Sequence, residues 1–247
     1  MIIRKSAFDK TETKSQQAFI KAVKQLNADE KYATHVNHHA YMKRYKMHGM
    51  GFNGQVGMWR FLAWHRIYLK RFEAALREYD KSVYIPYWKW TDGGVPDWMK
   101  AFMPTIKDVI AQPEKKPAKK TTVTTKRNNI NTPFITQSDI DDIIKKNTTY
   151  ATFTKALEDG PHNKGHRILG SLMSTAISPA DPMFWLHHAN VDRIWARWQV
   201  SHPKEQPEID NKYKIDENKK NMTKLQPFGV SLEQGAKPPK AHGYKYE

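Results

Sequence analysis

The stretch "FWLHHANVDRIWARWQ", residues 184–199, does most to limit how this chain can fold. Its apolar residues recur at the helical period, yet two adjacent histidines sit among them, and imidazole fills an apolar face poorly. Just upstream, "SPADP" puts Asp181 at an N-cap position and Pro182 in the first turn, a strong signal for a helix start. "PHNKGH" at 161–166 adds two histidines four residues apart, a spacing that turns both rings to one side of a helix. "FLAWHRIYLKRFE" at 61–73 carries His65 on the apolar face of another helix, between Leu62 and Leu69. His188 faces the side marked by Val191 and Trp195, and Asp192 lies one turn beyond it, placed to accept from a histidine or to pair with an arginine.

The 247 residues include no cysteine, which excludes disulfides, thiolate metal sites and a cysteine nucleophile together. Any metal must then be held by His, Asp or Glu. Imidazoles from at least three helices can converge in the core of a bundle, where such sites are built. An all-imidazole set suits copper or zinc rather than magnesium or calcium. The length supports one sizeable core and a single domain over 1–247. The net charge of +16 reads as a solubilising lysine surface. With no zinc finger and no recognition helix bearing a basic stripe, a nucleic-acid partner is not expected. No stretch has the apolar length of a membrane span, so no membrane partner is expected either. The start "MIIRKSAFDKTETKSQQ" lacks the apolar run of a secretory signal.

Residues 15–27 place Phe19, Ile20, Val23 and Leu26 on one helical face, with Ser15 as the N-cap. "KYATHVNHHAYMKRYKMH" continues as helix and carries His35, His38, His39 and His48, of which His35 is expected to be exposed. "GMGFNGQVG" at 49–57 is a glycine-rich loop, and from Trp59 a long helix puts Leu62, His65, Leu69, Phe72 and Leu76 on one face. "SVYIPYWKW" at 82–90 suits a buried extended segment that "TDGGVPDW" terminates. Residues 113–133, rich in lysine, threonine and proline without an apolar period, read as a mobile surface excursion. Ser138 is expected to cap a helix at "SDIDDIIKK", and the tail from 203 onward reads as polar loop. The pattern is mainly α: helices packed as a bundle, with long loops between.

"SPADPMFWLHHANVDRIWARWQ" and "LEDGPHNKGH" resemble the second copper segment of tyrosinases, the type 3 copper monophenol and diphenol oxidases, and "WRFLAWHRIYLKRFE" resembles the end of their first. The resemblance spans roughly residues 30–200. It implies a mainly α fold: a four-helix bundle holding a binuclear copper site, with long loops and a few short strands. Two copper ions, CuA and CuB, each take three histidines. His162, His166 and His188 match the CuB ligands, and His187 is then the neighbour that points elsewhere. His65 matches the last CuA ligand and His39 the first, with His38 as close competitor. At the middle ligand the chain departs from the family: "V-G-M-W-R-F-L-A-W-H-R" stands against "H-G-x-W-x-F-L-P-W-H-R", putting Val56 where a histidine belongs. Either CuA is weakened, or a histidine from elsewhere substitutes, His48 in "MHGMG" being the obvious one.

The resemblance also implies partners and chemistry: a small phenolic substrate and dioxygen, with phenols hydroxylated and catechols oxidised to o-quinones. Asn163 matches a position associated with monophenol activity, and Glu158 resembles the glutamate that holds a water with that asparagine. Ser174, Thr175 and Ala176 are small enough to leave the mouth open to a flat ring. "GYKYE" resembles the tyrosine motif that closes the catalytic domain, which suggests a bare catalytic domain. The same histidine set also admits a haemocyanin-like dioxygen carrier, and Val56 admits a copper-poor variant with impaired CuA.

Overall fold

Two helices in the computed structural model, which describes residues 1–49, 54–216 and 218–247, are enclosed on all sides over long stretches. In α4 (Gly54–Leu76) every residue from Phe61 to Leu69 is buried, and in α9 (Met183–Ser201) every residue from Met183 to Asp192. A helix apolar around most of its circumference belongs at the centre of a domain. Around this pair stand α2 (Tyr32–Ala40), whose Tyr32 ring lies 5.6 Å from Phe72 of α4 and bonds Trp185 of α9, and the tandem α7 (Tyr150–Leu157), packed on α4, and α8 (Asn163–Leu169), whose His166 meets His188 of α9. The result is a four-helix bundle. α1 (Thr13–Ala28) backs α4, and α6 (Gln137–Lys146) backs α7 and α9. Short helices α3 (Met42–Tyr45), α5 (Asp97–Lys100) and α10 (Leu232–Ala236) lie in the connections.

Aromatic rings fill the helix interfaces. Trp185 of α9 stacks on Phe72 of α4 at 3.6 Å, and Trp198 stacks on Phe153 of α7 at 4.5 Å. Some buried aromatics pair their polar atoms with one another: Trp185 Nε1 donates to Tyr32 Oη at 3.0 Å, and that hydroxyl donates to the Pro179 carbonyl at 2.8 Å.

The strands are short and paired in twos. β1 (Ile2–Arg4) runs parallel to β6 (Tyr244–Tyr246), joining the described ends of the chain. β2 (Thr105–Ile110) pairs antiparallel with β3 (Lys120–Thr124), and β4 (Lys224–Leu225) with β5 (Val230–Ser231). The β1–β6 pair sits on a buried ionic cluster. Arg4 donates to both oxygens of Glu73 at 3.0 and 3.1 Å, and Asp192 accepts from Arg66 at 2.6 Å, Tyr244 at 2.5 Å and Tyr246 at 2.6 Å. Burial alone raises the Asp192 pKa, but Arg66 and Arg4 outweigh it and hold the carboxyl below its ordinary value. Of its two expected uses, Asp192 therefore serves the arginine.

Several local expectations are corrected. Ser15 lies inside α1, where its hydroxyl donates to Glu12 at 2.6 Å, and Ser138 lies inside α6, which Thr136 caps in a reciprocal box with Asp139. Several residues able to cap stand close together at both starts, so spacing alone does not choose. The helix expected through His48 stops: α2 ends at Ala40, α3 at Tyr45, and Lys46 adopts a left-handed φ of 46°. The glycine-rich stretch divides, with Gly54 and Gly57 in the first turn of α4 and residues 50–53 outside the described residues. His35 is not exposed. Its ring packs edge-on against Phe72 at 5.3 Å and Trp185 at 6.3 Å, and burial pushes its pKa down to about 4.

Residues 113–133 are not a free excursion. β3 lies within them, and Arg127 is buried, bonded to Asp181 at 2.9 Å and to the carbonyls of Met99 and Phe102 at 2.7 Å each. A segment held by ionic and carbonyl pairing has no apolar period to display. The tail is likewise docked, with Leu225, Leu232 and Ala236 in the core and the Gln226 carbonyl accepting from Trp64 at 2.6 Å. No helix among the described residues is long and apolar enough to cross a membrane.

Candidate metal centre

The bundle brings seven histidines into two adjoining groups. Ring nitrogens of His39, His48 and His65 lie within 4.8 Å of one another, as do those of His162, His166, His187 and His188. α2 carries His39, α4 carries His65 and α9 carries His187 and His188, so three rigid elements set the frame. His65 and His188 stack at 4.3 Å where α4 crosses α9, and this contact puts the groups side by side.

Four of the rings are oriented through Nδ1 by a backbone carbonyl, whereas the Nδ1 of His188 is buried without a partner. His65 donates to the Phe61 carbonyl one turn back at 2.8 Å, and His39 donates to the Ala176 carbonyl at 2.7 Å. His162 donates to the Glu158 carbonyl at 3.2 Å, and His166 to the Met173 carbonyl at 2.6 Å. Protons committed at Nδ1 leave the Nε2 lone pairs facing inward. His39 and His48 then oppose Nε2 to Nε2 at 3.4 Å, His166 and His188 do the same at 3.3 Å, and the buried Nε2 atoms of His65 and His162 have no partner. Facing lone pairs at His39 and His48, whose protons are both spent at Nδ1, and the buried unpartnered Nε2 atoms of His65 and His162 are what a cation between the rings would satisfy.

Burial, reinforced by neighbouring imidazoles, pushes the pKa of His39, His65, His162 and His188 well below the ordinary histidine range, and that of His166 to about 4. These rings are neutral at pH 7, the form that binds metal. Two groups of imidazole donors without thiolate or carboxylate fit copper.

The sequence left two alternatives at the first group, and the structure distinguishes them. His39 joins it, while His38 is half-buried against Phe228, their ring centres 5.9 Å apart. Val56 is buried in the hydrophobic core, and His48 completes the group from the loop after α3. A completed triad removes the sequence-based reason to expect a weak first site.

His48 is held by a residue from the far side of the centre. Glu158, only 1% exposed, accepts from His48 Nδ1 at 3.0 Å and takes the Gly49 N–H at 3.0 and 3.1 Å on its two oxygens. Gly49 permits this approach, since a Cβ there would stand 2.9 Å from Glu158 Oε2. Residues Glu158–His162 form a π-turn containing Pro161 and a non-helical Gly160 (φ −85°, ψ −108°), an irregularity common at functional sites. Asn163 follows it and lines a cavity of about 310 Å³ with His39, His48 and His166. Met42, Met173 and Arg167 contribute to its wall, as do Ser174, Thr175 and Ala176, where a wide mouth was expected.

The Glu158–His48 bond was missed in the sequence, where its trace is the glycine directly after the histidine. His187 lies beside the second group, its Nε2 turned to the His162 carbonyl at 3.1 Å and its ring centre 5.1 Å from that of Trp90.

The family model "Common central domain of tyrosinase" matches residues 26–116 and 99–201. A tyrosinase of Streptomyces glaucescens is 31% identical over 173 residues, covering 58% of this chain and 63% of that protein. The chain therefore spans less than two thirds of that relative's length. Among solved structures, a functional unit of octopus hemocyanin superposes with a TM-score of 0.69 at 22% identity, covering 100% of this chain and 68% of the other. Tyrosinase from Burkholderia thailandensis superposes at 0.61 with 17% identity, covering 100% and 73%. At these identities the two structures speak for the fold alone.

Proposed function

Since this chain belongs to the tyrosinase family, we propose that it is a copper-dependent oxidase that converts phenols and catechols to o-quinones with dioxygen. The observation that carries the proposal is the convergence of two sets of oriented imidazole lone pairs beneath an open cavity of about 310 Å³. His39, His48 and His65 would hold CuA, and His162, His166 and His188 CuB. Copper bound there supplies the electron transfer between substrate and dioxygen. The chain's own groups supply the rest. The cavity is large enough for one aromatic ring, and the Met42 and Met173 thioethers offer it soft apolar walls. The small side chains of Ser174 and Ala176 leave the entrance clear.

Free phenols keep their proton at pH 7, with tyrosine near pKa 10. A monophenol therefore needs a proton acceptor before its oxygen can become a ligand. Asn163 lines the cavity, and its amide can orient a water there. Glu158, bonded to His48 and Gly49, retains capacity for one further hydrogen bond and can polarise that water while it fixes His48.

A second reading, a dioxygen carrier, draws on the likeness to the octopus hemocyanin unit. The open cavity beside the histidines favours the enzyme. Copper-loaded protein supplied with tyrosine or its catechol tests the choice: o-quinone appearing at two coppers per chain supports the oxidase. Reversible oxygen uptake without turnover supports the carrier, and no copper uptake refutes both.

A further inference from the structure

His187 is the one imidazole of the second group that this chemistry does not use. Its ring is fully buried, stacked on His162 at 5.4 Å and edge-on to His166 at 4.8 Å. Its polarity is the reverse of its neighbours'. His162 and His166 spend their Nδ1 protons on carbonyls, whereas His187 donates from Nε2 to the His162 carbonyl at 3.1 Å, because a carbonyl can only accept. Its Nδ1 is left buried without a partner.

The ring is admitted by a missing side chain. A Cβ on Gly165 would stand 2.4 Å from His187 Cε1 and 2.9 Å from Nδ1, so only glycine lets α9 lay this ring against α8. Glycine inside a helix costs backbone entropy, and here it sits between the two histidines. The π-turn before His162, with Pro161 and the non-helical Gly160, deprives that segment of regular helical hydrogen bonding. An outside tether therefore has something to hold.

We propose that His187 is a positioning residue for the second copper group. Its Nε2–H fixes the His162 carbonyl, and thereby the angle at which His162 and His166 present their Nε2 atoms, while Gly165 is the notch that seats the ring. The inference rests on the copper reading above, and its test has one arm that needs no metal.

The comparison uses His187→Leu, which deletes the donor, His187→Gln, which restores one at similar reach, and Gly165→Ala, which displaces the ring without altering it. In the copper-free protein, amide hydrogen exchange over residues 162–166 should rise about tenfold in His187→Leu and Gly165→Ala. It should stay near wild type in His187→Gln and unchanged in α4 throughout. In the loaded protein, chelator competition should show CuB weakened 10–100-fold, the range for lost outer partners of a metal-bound histidine, with CuA unaffected. Unaltered exchange, equal weakening of both coppers, or a Gln variant that behaves like Leu would overturn the proposal. If His187→Leu does not fold, Gly165→Ala against His187→Gln decides. Wild-type protein that takes up no copper would refute the copper reading, and the exchange arm would still settle the tether.

Discussion

Glu158 separates two jobs that one carboxylate can do, and substitutions there distinguish them. Its oxygens accept His48 Nδ1 at 3.0 Å in a buried bond and the half-buried Gly49 N–H at 3.0 and 3.1 Å. Hydrogen bonds to a buried charge contribute about 1.5–3 kcal/mol, against about 0.5–1.5 for neutral pairs. Glu158→Gln keeps one acceptor oxygen and turns an NH2 toward a donor, so one charged bond is lost and another becomes neutral. That comes to roughly 2.5–4.5 kcal/mol, or about 10²–10³-fold in CuA affinity. Glu158→Leu leaves the buried His48 donor unmet at about 1–3 kcal/mol and the half-buried Gly49 N–H at less, which should empty CuA. CuB should survive both, because His162 leans on the backbone carbonyl of Glu158 and not on its carboxylate. Copper stoichiometry and chelator titration measure the affinities, and the paramagnetic signal of a lone cupric ion identifies the half-loaded form. At matched loading, a loss confined to monophenol hydroxylation assigns Glu158 a proton role as well, whereas equal losses on tyrosine and on its catechol leave it an anchor alone. Wild-type affinity for both coppers in Glu158→Leu would refute the reasoning.

The same geometry predicts that His48→Ala empties CuA while Val56→His, in the presence of His48, gains neither copper nor rate; metal analysis of both variants checks this, and a gain in Val56→His would mean that His48 is not the ligand. Arg127→Met strands Asp181, whose carboxyl burial already pushes up despite its arginine partner, so stability should fall by about 3–5 kcal/mol in urea melts. A loss below about 1 kcal/mol would show the pair to be dispensable. The pH dependence has a definite sign. His35 and His166 titrate near 4 when folded and near 6.5 when unfolded, so between these values the unfolded chain holds more protons. Metal-free protein should therefore keep its full histidine contribution above about pH 6.5 and lose it as pH falls toward 4; urea midpoints flat across that window would contradict the burial of these rings.

What the sequence determined by itself is what one or two helical turns encode. The four-residue spacing of His162 and His166, the apolar setting of His65 and His188, and the Asp181–Pro182 start of α9 are properties of local chain, and they marked the bundle and most of the donor set. The absence of cysteine confined those donors to imidazole and carboxylate. The tertiary structure decided what depends on groups far apart in the chain. His48 reaches its group only because Glu158, 110 residues onward, holds its Nδ1. Arg127 is buried only because Asp181, 54 residues away, is there to pair with it, so a lysine- and threonine-rich stretch that reads as loose coil is partly docked. His187 and His188 share one helix, and periodicity does not reveal that the first finds a notch at Gly165 while the second meets His166. A side chain's own periodicity tells which face it occupies, but its hydrogen-bond partner is chosen only when another element docks against that face.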